Sequence, residues 1–286
     1  MGLQTIRDTL QRNGLRLSRD LGQNFLVEDA MAERLALLSG TQPGDGVIEV
    51  GTGLGVLTRA LASRARRVVT IEIDSGLVGT LAGEGLLPDN VELVHANALE
   101  VDLAGLANDL VGREGVRKVR VVANLPYSAA SPLLRKLLDL KGVLADWSVM
   151  LQKELAERLV AEPGSRDYGS LTVLHRLVAD VSRELDLKPG CFFPVPNVVS
   201  SFVRVFPRSD CPLEYGELRS VERVVRAVFN QRRKTILNGL RGGGLPSSGD
   251  RDALVSALEA AGIDPRARAE TLEPDTLLAL SRQLQG

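Results

Sequence analysis

Residues 124–127 (NLPY) combine two hydrogen-bond acceptors with an aromatic ring. The side-chain oxygen of Asn124 and the main-chain carbonyl of Leu125 can each accept a hydrogen bond from an exocyclic NH2 group. Pro126 leaves that carbonyl exposed because it cannot continue a strand ladder, and Tyr127 can stack on a base that carries the amine. Acceptors on both amine hydrogens free the nitrogen lone pair to attack an electrophilic methyl group. The tetrapeptide is therefore suited to methyl transfer by positioning and electrostatics.

A glycine-rich turn and an acidic strand end predict a ligand shaped like a nucleotide. Residues 47–50 read as a buried parallel strand, and the glycines of 51–55 (GTGLG) allow a tight turn with close backbone approach before the next helix. Glu72 and Asp74 end the next predicted strand about 20 residues later, where α/β sheets place a carboxylate that binds ribose hydroxyls. Such a turn serves dinucleotides as well as S-adenosylmethionine.

The tetrapeptide 124–127 decides between these two ligands. It follows another buried strand, at the sheet edge where α/β folds bind substrates. Nicotinamide chemistry has no use for it, whereas methyl transfer to an amine does, so a nicotinamide-dependent dehydrogenase is the weaker alternative. The structural alternatives are an ordinary βαβ unit with an exposed acidic strand end and a simple Pro-Tyr turn after a strand.

The elements that must position these motifs alternate between strand and helix, which is the pattern of an α/β fold with a parallel sheet. Beyond Pro207 only helical patterns remain. We therefore predict a catalytic domain over 1–207, including an N-terminal lead-in, and a small all-helical domain over 208–286. Strands are predicted near 46–50, 68–73, 91–95, 119–123, 147–152, 183–188 and 200–206, and helices near 29–39, 55–64, 75–83, 103–111, 132–140, 153–161, from 167, and over 220–240, 250–261 and 274–284.

The composition is that of an ordinary globular protein. The chain has 286 residues, of which 44% are hydrophobic and 25% are charged, enough for one large domain and one small one. No apolar run approaches the ~20 residues that cross a bilayer, and the N-terminus lacks a signal-peptide core, so we expect a cytoplasmic protein without a membrane segment. Cys191 and Cys211 form no CxxC motif, and His95 and His175 are distant in sequence, so no metal site is expected.

The net charge of −1 and the pI near 6.2 differ from the positive excess of most nucleic-acid-binding domains. Basic residues are nevertheless clustered. Each cluster alone could be a solvated surface, whereas several together predict one basic face that acidic segments offset elsewhere. The clusters are Arg12, Arg16 and Arg19; Arg64, Arg66 and Arg67; Arg117, Lys118 and Arg120; and Arg232, Arg233 and Lys234, the last within a helical pattern.

Seven motifs, in chain order, resemble those of the ribosomal RNA small-subunit adenine dimethyltransferases, a family that shares its fold with the erythromycin-resistance methyltransferases. The match runs nearly end to end, and its first and last motifs are more specific than the glycine turn. Any one motif could arise by chance, but seven in order could not. The motifs are 22–26 (GQNFL), 49–58 (EVGTGLGVLT), 72–74 (EID), 124–127 (NLPY), 168–171 (YGSL), 193–196 (FPVP) and 229–235 (FNQRRKT).

The resemblance implies a Rossmann-like, S-adenosylmethionine-dependent methyltransferase domain with a mostly parallel seven-stranded sheet, followed by a helical domain that binds RNA or the ribosome. It implies dimethylation of N6 on two adjacent adenosines near the 3′ end of small-subunit (16S) rRNA, by a monomer that acts on the assembling small subunit. Two alternatives remain. One is methylation of large-subunit rRNA, as in the resistance enzymes, and the other is a non-catalytic rRNA-binding ribosome-assembly factor.

The resemblance also implies roles for individual residues. A flipped-out target base needs aromatic walls, and Phe193 is expected to be the second wall, facing Tyr127; a buried Phe before a Pro-rich turn is the alternative. The catalytic residues are expected to be Asn124, Leu125, Pro126, Tyr127 and Phe193. The cofactor-binding residues are expected to be Gln23, Asn24, Leu26, Gly51, Gly53, Glu72, Asn97 and Asn124. The RNA-binding residues are expected to be Arg232, Arg233 and Lys234.

Three positions depart from the family pattern. Asn97 stands where the family usually has Asp, Ser128 where Asn is common, and Val199 where an Asp is usual after the Pro-rich loop. Asn97 can still accept a hydrogen bond from the cofactor's adenine amine, but without charge, so we expect weaker cofactor binding rather than loss of activity. The lead-in over 15–20 is also less basic than the family pattern.

Overall fold

The computed structural model of the protein describes residues 2–15, 17, 22–113, 115–214 and 216–285. Arg16 and Arg19, which the sequence places in a basic cluster, lie outside the described residues. Within the described residues no helix is both long enough and apolar enough to cross a membrane. In chain order the helices and strands are α1 (Leu3–Arg12), β1 (Phe25–Leu26), α2 (Asp29–Leu38), β2 (Asp45–Val50), α3 (Val56–Ala62), β3 (Arg67–Glu72), α4 (Ser75–Gly83), β4 (Val91–His95), α5 (Leu103–Val111), β5 (Lys118–Asn124), α6 (Ala130–Leu138), β6 (Asp146–Gln152), α7 (Lys153–Leu159), α8 (Ser170–Val178), β7 (Ala179–Leu187), β8 (Phe192–Phe193), β9 (Ser200–Pro207), α9 (Leu218–Phe229), α10 (Ile236–Gly242), α11 (Arg251–Ala260) and α12 (Pro274–Gln283).

Seven strands form one sheet in the order β4-β3-β2-β5-β6-β9-β7. β2 pairs in parallel with β3 and β5, β3 pairs in parallel with β4, and β5 with β6, whereas β9 is antiparallel to β6. The central strands β2 and β5 are almost continuous runs of buried residues, as expected where helices cover both faces of a parallel sheet. The predicted Rossmann-like, mostly parallel seven-stranded sheet is confirmed.

The path of the chain places four strand ends at one edge of this sheet. From β2 the chain moves outward to β3 and β4 and then returns to the other side of β2 as β5. Because parallel strands end at the same edge, the glycine turn after β2, Glu72 at the end of β3, the turn after β4 and Asn124 at the end of β5 meet there. Such a reversal of strand order leaves a crevice, and the sequence motifs flank it.

The sequence does not predict two elements near the N-terminus. The lead-in contains helix α1, whose Ile6 and Leu10 pack in a buried cluster with Phe25 and Leu54. Strand β1 pairs antiparallel with β8, so that Phe25 lies opposite Phe193. Strands of two residues carry no detectable alternation, and this pair forms only when the fold brings distant segments together.

The chain divides into two compact units, Met1–Ala156 with Ser182–Pro207 and Glu157–Val181 with Arg208–Gly286. Glu157–Val181 therefore groups with the C-terminal residues, whereas the sequence-based division at 207 places it in the first domain. The reason is packing, because α9 contacts α8 as well as α10 and α12. The domain boundaries drawn from the sequence stay a prediction.

A buried tyrosine organises the second unit. The side chain of Tyr168 is fully buried and donates its hydroxyl to the main-chain oxygen of Leu272 at 2.8 Å. Its ring meets Phe229 edge to face, with the ring centroids 5.9 Å apart. Burial raises the pKa of Tyr168, which favours the protonated hydroxyl as the donor of this bond. The 168–171 motif of the sequence therefore has a packing role.

The helix predicted across Arg232, Arg233 and Lys234 is wrong at these residues, which lie in an exposed turn between α9 and α10. Asn230 and Thr235 occupy the capping positions on the two sides of the turn. Their short polar side chains compete with helical hydrogen bonds and favour helix ends. A helix-compatible run of basic residues is thus interrupted by two flanking residues that favour caps.

Candidate active site

A cleft of about 900 Å³, including the open space at its mouth, lies at the carboxyl ends of β2 to β5. Leu26 lines a smaller adjoining pocket together with Gly51, Gly53 and Asn124. The structure thus brings together most of the residues that the sequence predicts for the site, while their individual roles stay predictions. Those that line the cleft are Gln23, Asn24, Gly51, Gly53, Glu72, Asn97, Asn124, Leu125, Pro126 and Tyr127.

Phe193 is placed differently from these residues. Phe193 is not among the described residues that line the cleft. Its side chain packs against the cluster of Ile6, Leu10 and Phe25, and the guanidinium carbon of Arg7 lies 5.3 Å from the centroid of its ring. Phe193 therefore helps to hold the lead-in in place, and its role as a wall for a target base stays a prediction.

The glycine turn brings main chain to the floor of the cleft. Gly53 has a positive φ of 58°, and a methyl group on its Cα would lie 2.8 Å from ring atom Cδ1 of Phe25. Its amide donates a hydrogen bond to Oε2 of Glu72 at 2.9 Å. Both the backbone conformation and the close contact require glycine at this position. The turn, the lead-in and the end of β3 therefore converge at Gly53.

Glu72 is held by three main-chain amides. Its Oε1 accepts from the amides of Ile73 and Asp74, each at 2.9 Å, and its Oε2 accepts from Gly53. Burial raises the pKa of Glu72 above its ordinary value, and the backbone hydrogen bonds oppose that rise. Each carboxylate oxygen has more than one acceptor site. Oε1 already accepts two hydrogen bonds and Oε2 accepts one, so Oε2 can also accept a hydrogen bond from a ribose hydroxyl.

Asp74, the second acidic residue of this strand end, has a structural task. Its Oδ1 caps α4 by accepting from the main-chain amides of Gly76 at 2.9 Å and Leu77 at 3.2 Å. Its Oδ2 accepts from Nε2 of Gln23 at 2.7 Å. Asp74 thus ties the lead-in to the end of β3, and Glu72 is the carboxylate of the pair whose position suits a ribose.

A hydrogen bond orients the amide of Asn124. Its Nδ2 donates to the main-chain oxygen of Asn24 at 2.8 Å. Because a carbonyl oxygen can only accept, the nitrogen of the amide faces Asn24 and Oδ1 occupies the other side. Leu125 and Pro126 follow directly in the lining of the cleft. The acceptor predicted from the sequence is therefore preset before any substrate binds.

Tyr127 lines the cleft with a half-buried side chain. Its hydroxyl is hydrogen-bonded to Oγ of Ser200 at 2.8 Å, which anchors the far end of the ring. Burial raises the pKa of Tyr127, and the bond to Ser200 opposes that rise. The ring is thus a fixed, uncharged face that suits stacking on a base.

The sequence reasoning missed two exposed apolar side chains in the cleft. Ile73 is 46% exposed and Leu99 is 39% exposed, and both line it. Apolar side chains on the walls of a cleft suit a flat ring such as adenine. Ile73 could have been identified from the sequence because it lies between the acidic residues 72 and 74. An apolar side chain at an exposed strand end is expected to contact a ligand or another apolar group.

The profile of the family described as "Ribosomal RNA adenine dimethylase" matches residues 14–285 of this chain. The chain belongs to this family. It is 40% identical over 277 residues to the ribosomal RNA small subunit methyltransferase A of Geobacter metallireducens. The aligned region covers 97% of this chain and 98% of that protein. It is 41% identical over 271 residues to the protein of the same name from Desulfitobacterium hafniense, with 94% and 93% covered.

Two solved structures resemble the structure of this chain. A dimethyladenosine transferase from Plasmodium falciparum has a TM-score of 0.74 at 23% identity, over 90% of this chain and 95% of that one, and shows the shared fold. The 23S rRNA methyltransferase ErmE has a TM-score of 0.60 at 27% identity, over 92% and 100% of the two chains. The predicted family is confirmed, and with it a methyltransferase whose cofactor is S-adenosylmethionine.

The cleft of this protein fits that cofactor. Glu72 offers an acceptor for a ribose hydroxyl, and Gly53 leaves main-chain space where a side chain would intrude. Ile73 and Leu99 provide apolar surface for the adenine. The preset acceptor of Asn124 lies in the same lining, so the cofactor and an amine can be held side by side.

Asn97 stands where the family usually has Asp. Its side chain makes hydrogen bonds within its own turn. Its Oδ1 accepts from the main-chain amide of Leu99 at 3.1 Å, and its Nδ2 donates to Oε1 of Glu100 at 2.8 Å. An amide oxygen has two lone pairs. Asn97 can therefore keep its turn closed and still accept a hydrogen bond from an adenine amine.

We expect the Asn97→Asp variant to bind S-adenosylhomocysteine about 1 kcal/mol more tightly than the wild type, roughly fivefold, because its hydrogen bond to the adenine amine becomes charge-assisted. Calorimetric titration measures the difference. The new carboxylate would also face Glu100, so the comparison is repeated in a Glu100→Gln background, where no like charge opposes the gain. Equal affinities with and without the substitution in both backgrounds would contradict this expectation.

Proposed function

We propose that this protein transfers methyl groups from S-adenosylmethionine to N6 of two adjacent adenosines near the 3′ end of small-subunit rRNA. The observation that carries the proposal is the preset amide of Asn124, whose nitrogen is bound to Asn24 while its oxygen and the Leu125 carbonyl remain for an amine beside the cofactor cleft. Relatives named as small-subunit rRNA methyltransferases, about as long as this chain, support the same substrate.

The residues of the chain position the amine that is methylated. When bound, S-adenosylmethionine supplies a methyl group on a positively charged sulfur. Asn124 Oδ1 and the Leu125 carbonyl accept hydrogen bonds from the two N–H groups of the amine in the first transfer, and one of them accepts from the single remaining N–H in the second, which favours a nitrogen whose lone pair is available for attack. For each methyl group that it gains, the nitrogen loses one proton to solvent. The Tyr127 ring stacks on the adenine once that base has left its own stack. The amine is neutral, so positioning and electrostatics suffice without a strong general base.

Incubation with radiolabelled S-adenosylmethionine and unmethylated small ribosomal subunits tests the proposal, followed by nucleoside analysis of the rRNA. We expect N6,N6-dimethyladenosine in the small-subunit RNA. Dimethyladenosine in large-subunit RNA instead would indicate the specificity of the resistance enzymes. Binding to small subunits without any methylation would indicate a non-catalytic assembly factor.

We also propose that Arg232, Arg233 and Lys234 bind rRNA phosphates. All three side chains are exposed, in the turn between α9 and α10. Arg232 lies 3.6 Å from Glu270, but an exposed pair of this kind contributes little to stability and exchanges readily for a phosphate. Three successive cations on one turn can follow a nucleic-acid backbone, which supplies most of the affinity of such complexes.

We expect the triple replacement of Arg232, Arg233 and Lys234 by Gln to weaken rRNA binding. The slope of log K against log salt concentration should become smaller by the contribution of up to ~3 phosphate contacts, because fewer counterions are released. Filter binding over a series of salt concentrations measures the slope. The matched control is the triple replacement by Gln of Arg219, Arg251 and Arg266, which are also exposed in the second unit. A slope equal to that of the wild type would show that these three side chains bind no phosphates and are only solvated.

Two finer expectations are part of the proposal. The protein acts as a monomer, as the family resemblance implies. It acts in the cytoplasm, because its substrate is the assembling small subunit. Sedimentation of the purified protein alone tests the first expectation, and a stable dimer at working concentration would refute it.

A further inference from the structure

Lys136 on α6 makes three hydrogen bonds to a single turn. Its Nζ donates to the main-chain oxygens of Ala98 at 3.1 Å, Leu99 at 2.8 Å and Val101 at 2.6 Å. An ammonium group has three N–H donors, and each meets one carbonyl oxygen. The side chain thus binds the turn as a compact cation with no donor left over.

The turn that Lys136 holds follows β4 and forms part of the cleft. Ala96, Asn97, Ala98 and Leu99 all line the cleft, on the side where the exposed Leu99 offers apolar surface to an adenine. The helix that carries Lys136 begins at Ala130, directly after the methyl-transfer residues 124–127. Lys136 therefore connects the adenine side of the cofactor site to the helix that follows the catalytic motif.

The amide of Ala96 donates to the main-chain oxygen of Glu72 at 2.9 Å, which ties the start of the turn to β3, and several other described hydrogen bonds are internal to the turn. Asn97 accepts from Leu99, donates to Glu100 through its side chain, and accepts from Glu100 and Val101 through its main-chain oxygen. These bonds fix the shape of the turn. The three bonds from Lys136 add a direct link between the turn and α6.

Burial lowers the pKa of Lys136, and the nearby charge of Asp102 opposes that decrease. The three carbonyl oxygens favour the ammonium form, because a charged donor makes stronger hydrogen bonds than a neutral one. An uncharged or shorter side chain at this position would leave three main-chain oxygens without this donor. The turn would then be free to move away from α6.

We propose that Lys136 is a positioning residue that sets the affinity of the cofactor site for the adenosine part of S-adenosylmethionine. It does so by fixing the turn over 97–101 against α6, without touching the cofactor itself. The proposal rests on the proposed function, since that function supplies the cofactor.

The test is calorimetric binding of two probes, S-adenosylhomocysteine and adenosine, without RNA or catalysis. We expect Lys136→Met, which keeps the apolar stem and removes the donors, to weaken both probes by the same factor of ~10. Lys136→Gln, which retains an amide donor, should weaken both by less, and it serves as the second variant if Lys136→Met does not fold. The matched control, Lys118→Met, replaces an exposed lysine at the start of β5 and should bind both probes as the wild type does.

Wild-type affinity in the Lys136 variants would overturn the role of Lys136 alone. Weaker binding of S-adenosylhomocysteine with unchanged binding of adenosine would also overturn it, because the effect would then lie away from the adenine turn. A wild-type protein that binds neither probe would overturn the proposed function together with this proposal.

Discussion

Replacing Asn124 by Ala is expected to slow methyl transfer at least ~100-fold while rRNA binding stays close to that of the wild type. The Asn124 amide nitrogen is fixed on the main-chain oxygen of Asn24, so its oxygen is preset for the adenine amine. Removal of a preset acceptor raises the barrier of the chemical step, because the acceptor matters most as the nitrogen becomes a nucleophile. The residues proposed to bind RNA phosphates, Arg232, Arg233 and Lys234, are unchanged in this variant, so rRNA binding should be unaffected.

Single-turnover methylation of small subunits at saturating cofactor measures this loss, with rRNA binding measured in parallel. The bond to Asn24 also disappears in the variant, so S-adenosylhomocysteine affinity is measured separately from the rate. The matched control is Asn90→Ala, which removes another Asn whose Nδ2 donates to main-chain oxygens, those of Ala62 and Ala65. That change should affect stability and leave the rate intact. Comparable rates for Asn124→Ala and the wild type would contradict the proposed role of Asn124 in methyl transfer.

Raising the pH is expected to destabilise the first unit through Glu49. This fully buried side chain on β2 accepts from the hydroxyl of Thr58 at 2.6 Å and from that of Thr70 at 2.7 Å. Burial is the largest cause that raises the pKa of Glu49 from 4.5 to about 8, and the two threonine bonds oppose it. The folded protein therefore keeps a proton that the unfolded chain releases.

Between pH 4.5 and about 8 the folded chain binds more protons at Glu49 than the unfolded chain, so stability falls as the pH rises. The contribution is complete below the lower value and is lost above the higher one. One proton corresponds to a slope of about 1.4 kcal/mol per pH unit. Across two units inside this window, the wild type should lose roughly 3 kcal/mol relative to Glu49→Gln, which keeps the shape and cannot ionise.

Urea unfolding at several pH values, followed by tryptophan fluorescence, measures this difference. Trp147 is the only tryptophan of the chain and is fully buried on β6, in the same unit as Glu49. The control is Glu28→Gln, which replaces an exposed carboxyl group and should keep the pH dependence of the wild type. Parallel stability profiles for the wild type and Glu49→Gln would show that Glu49 holds no extra proton.

Strands β2, β3, β5 and β6 could be predicted because they are buried along almost their whole length and read as runs rich in apolar residues. The chain order then places the glycine turn, Glu72 and Asn124 at one edge without further information. Helix α1 was missed because its apolar face consists of little more than Ile6 and Leu10 in a polar segment. The turn at 232–234 was missed because only Asn230 and Thr235 interrupt a pattern that otherwise continues as a helix.

The orientation of the site residues could not be predicted, because it depends on bonds between distant segments. The hydrogen bond from Asn124 to Asn24 joins positions 100 residues apart. The bonds from Lys136 to the turn after β4 depend on how α6 packs, and a lysine in an amphipathic helix reads as a solvated residue. Residue types thus indicated the chemistry, whereas the hydrogen bonds that preset each group became visible only in the folded chain.

The pairing of β1 with β8 also has a consequence for the order in which the cleft is built. The segment that carries Gln23 and Asn24 is synthesised well before its strand partner, Phe192–Phe193. A nascent chain that lacks those residues has no β-partner for the lead-in. This wall of the cleft can therefore take its paired form only after residues 192–193 have been made.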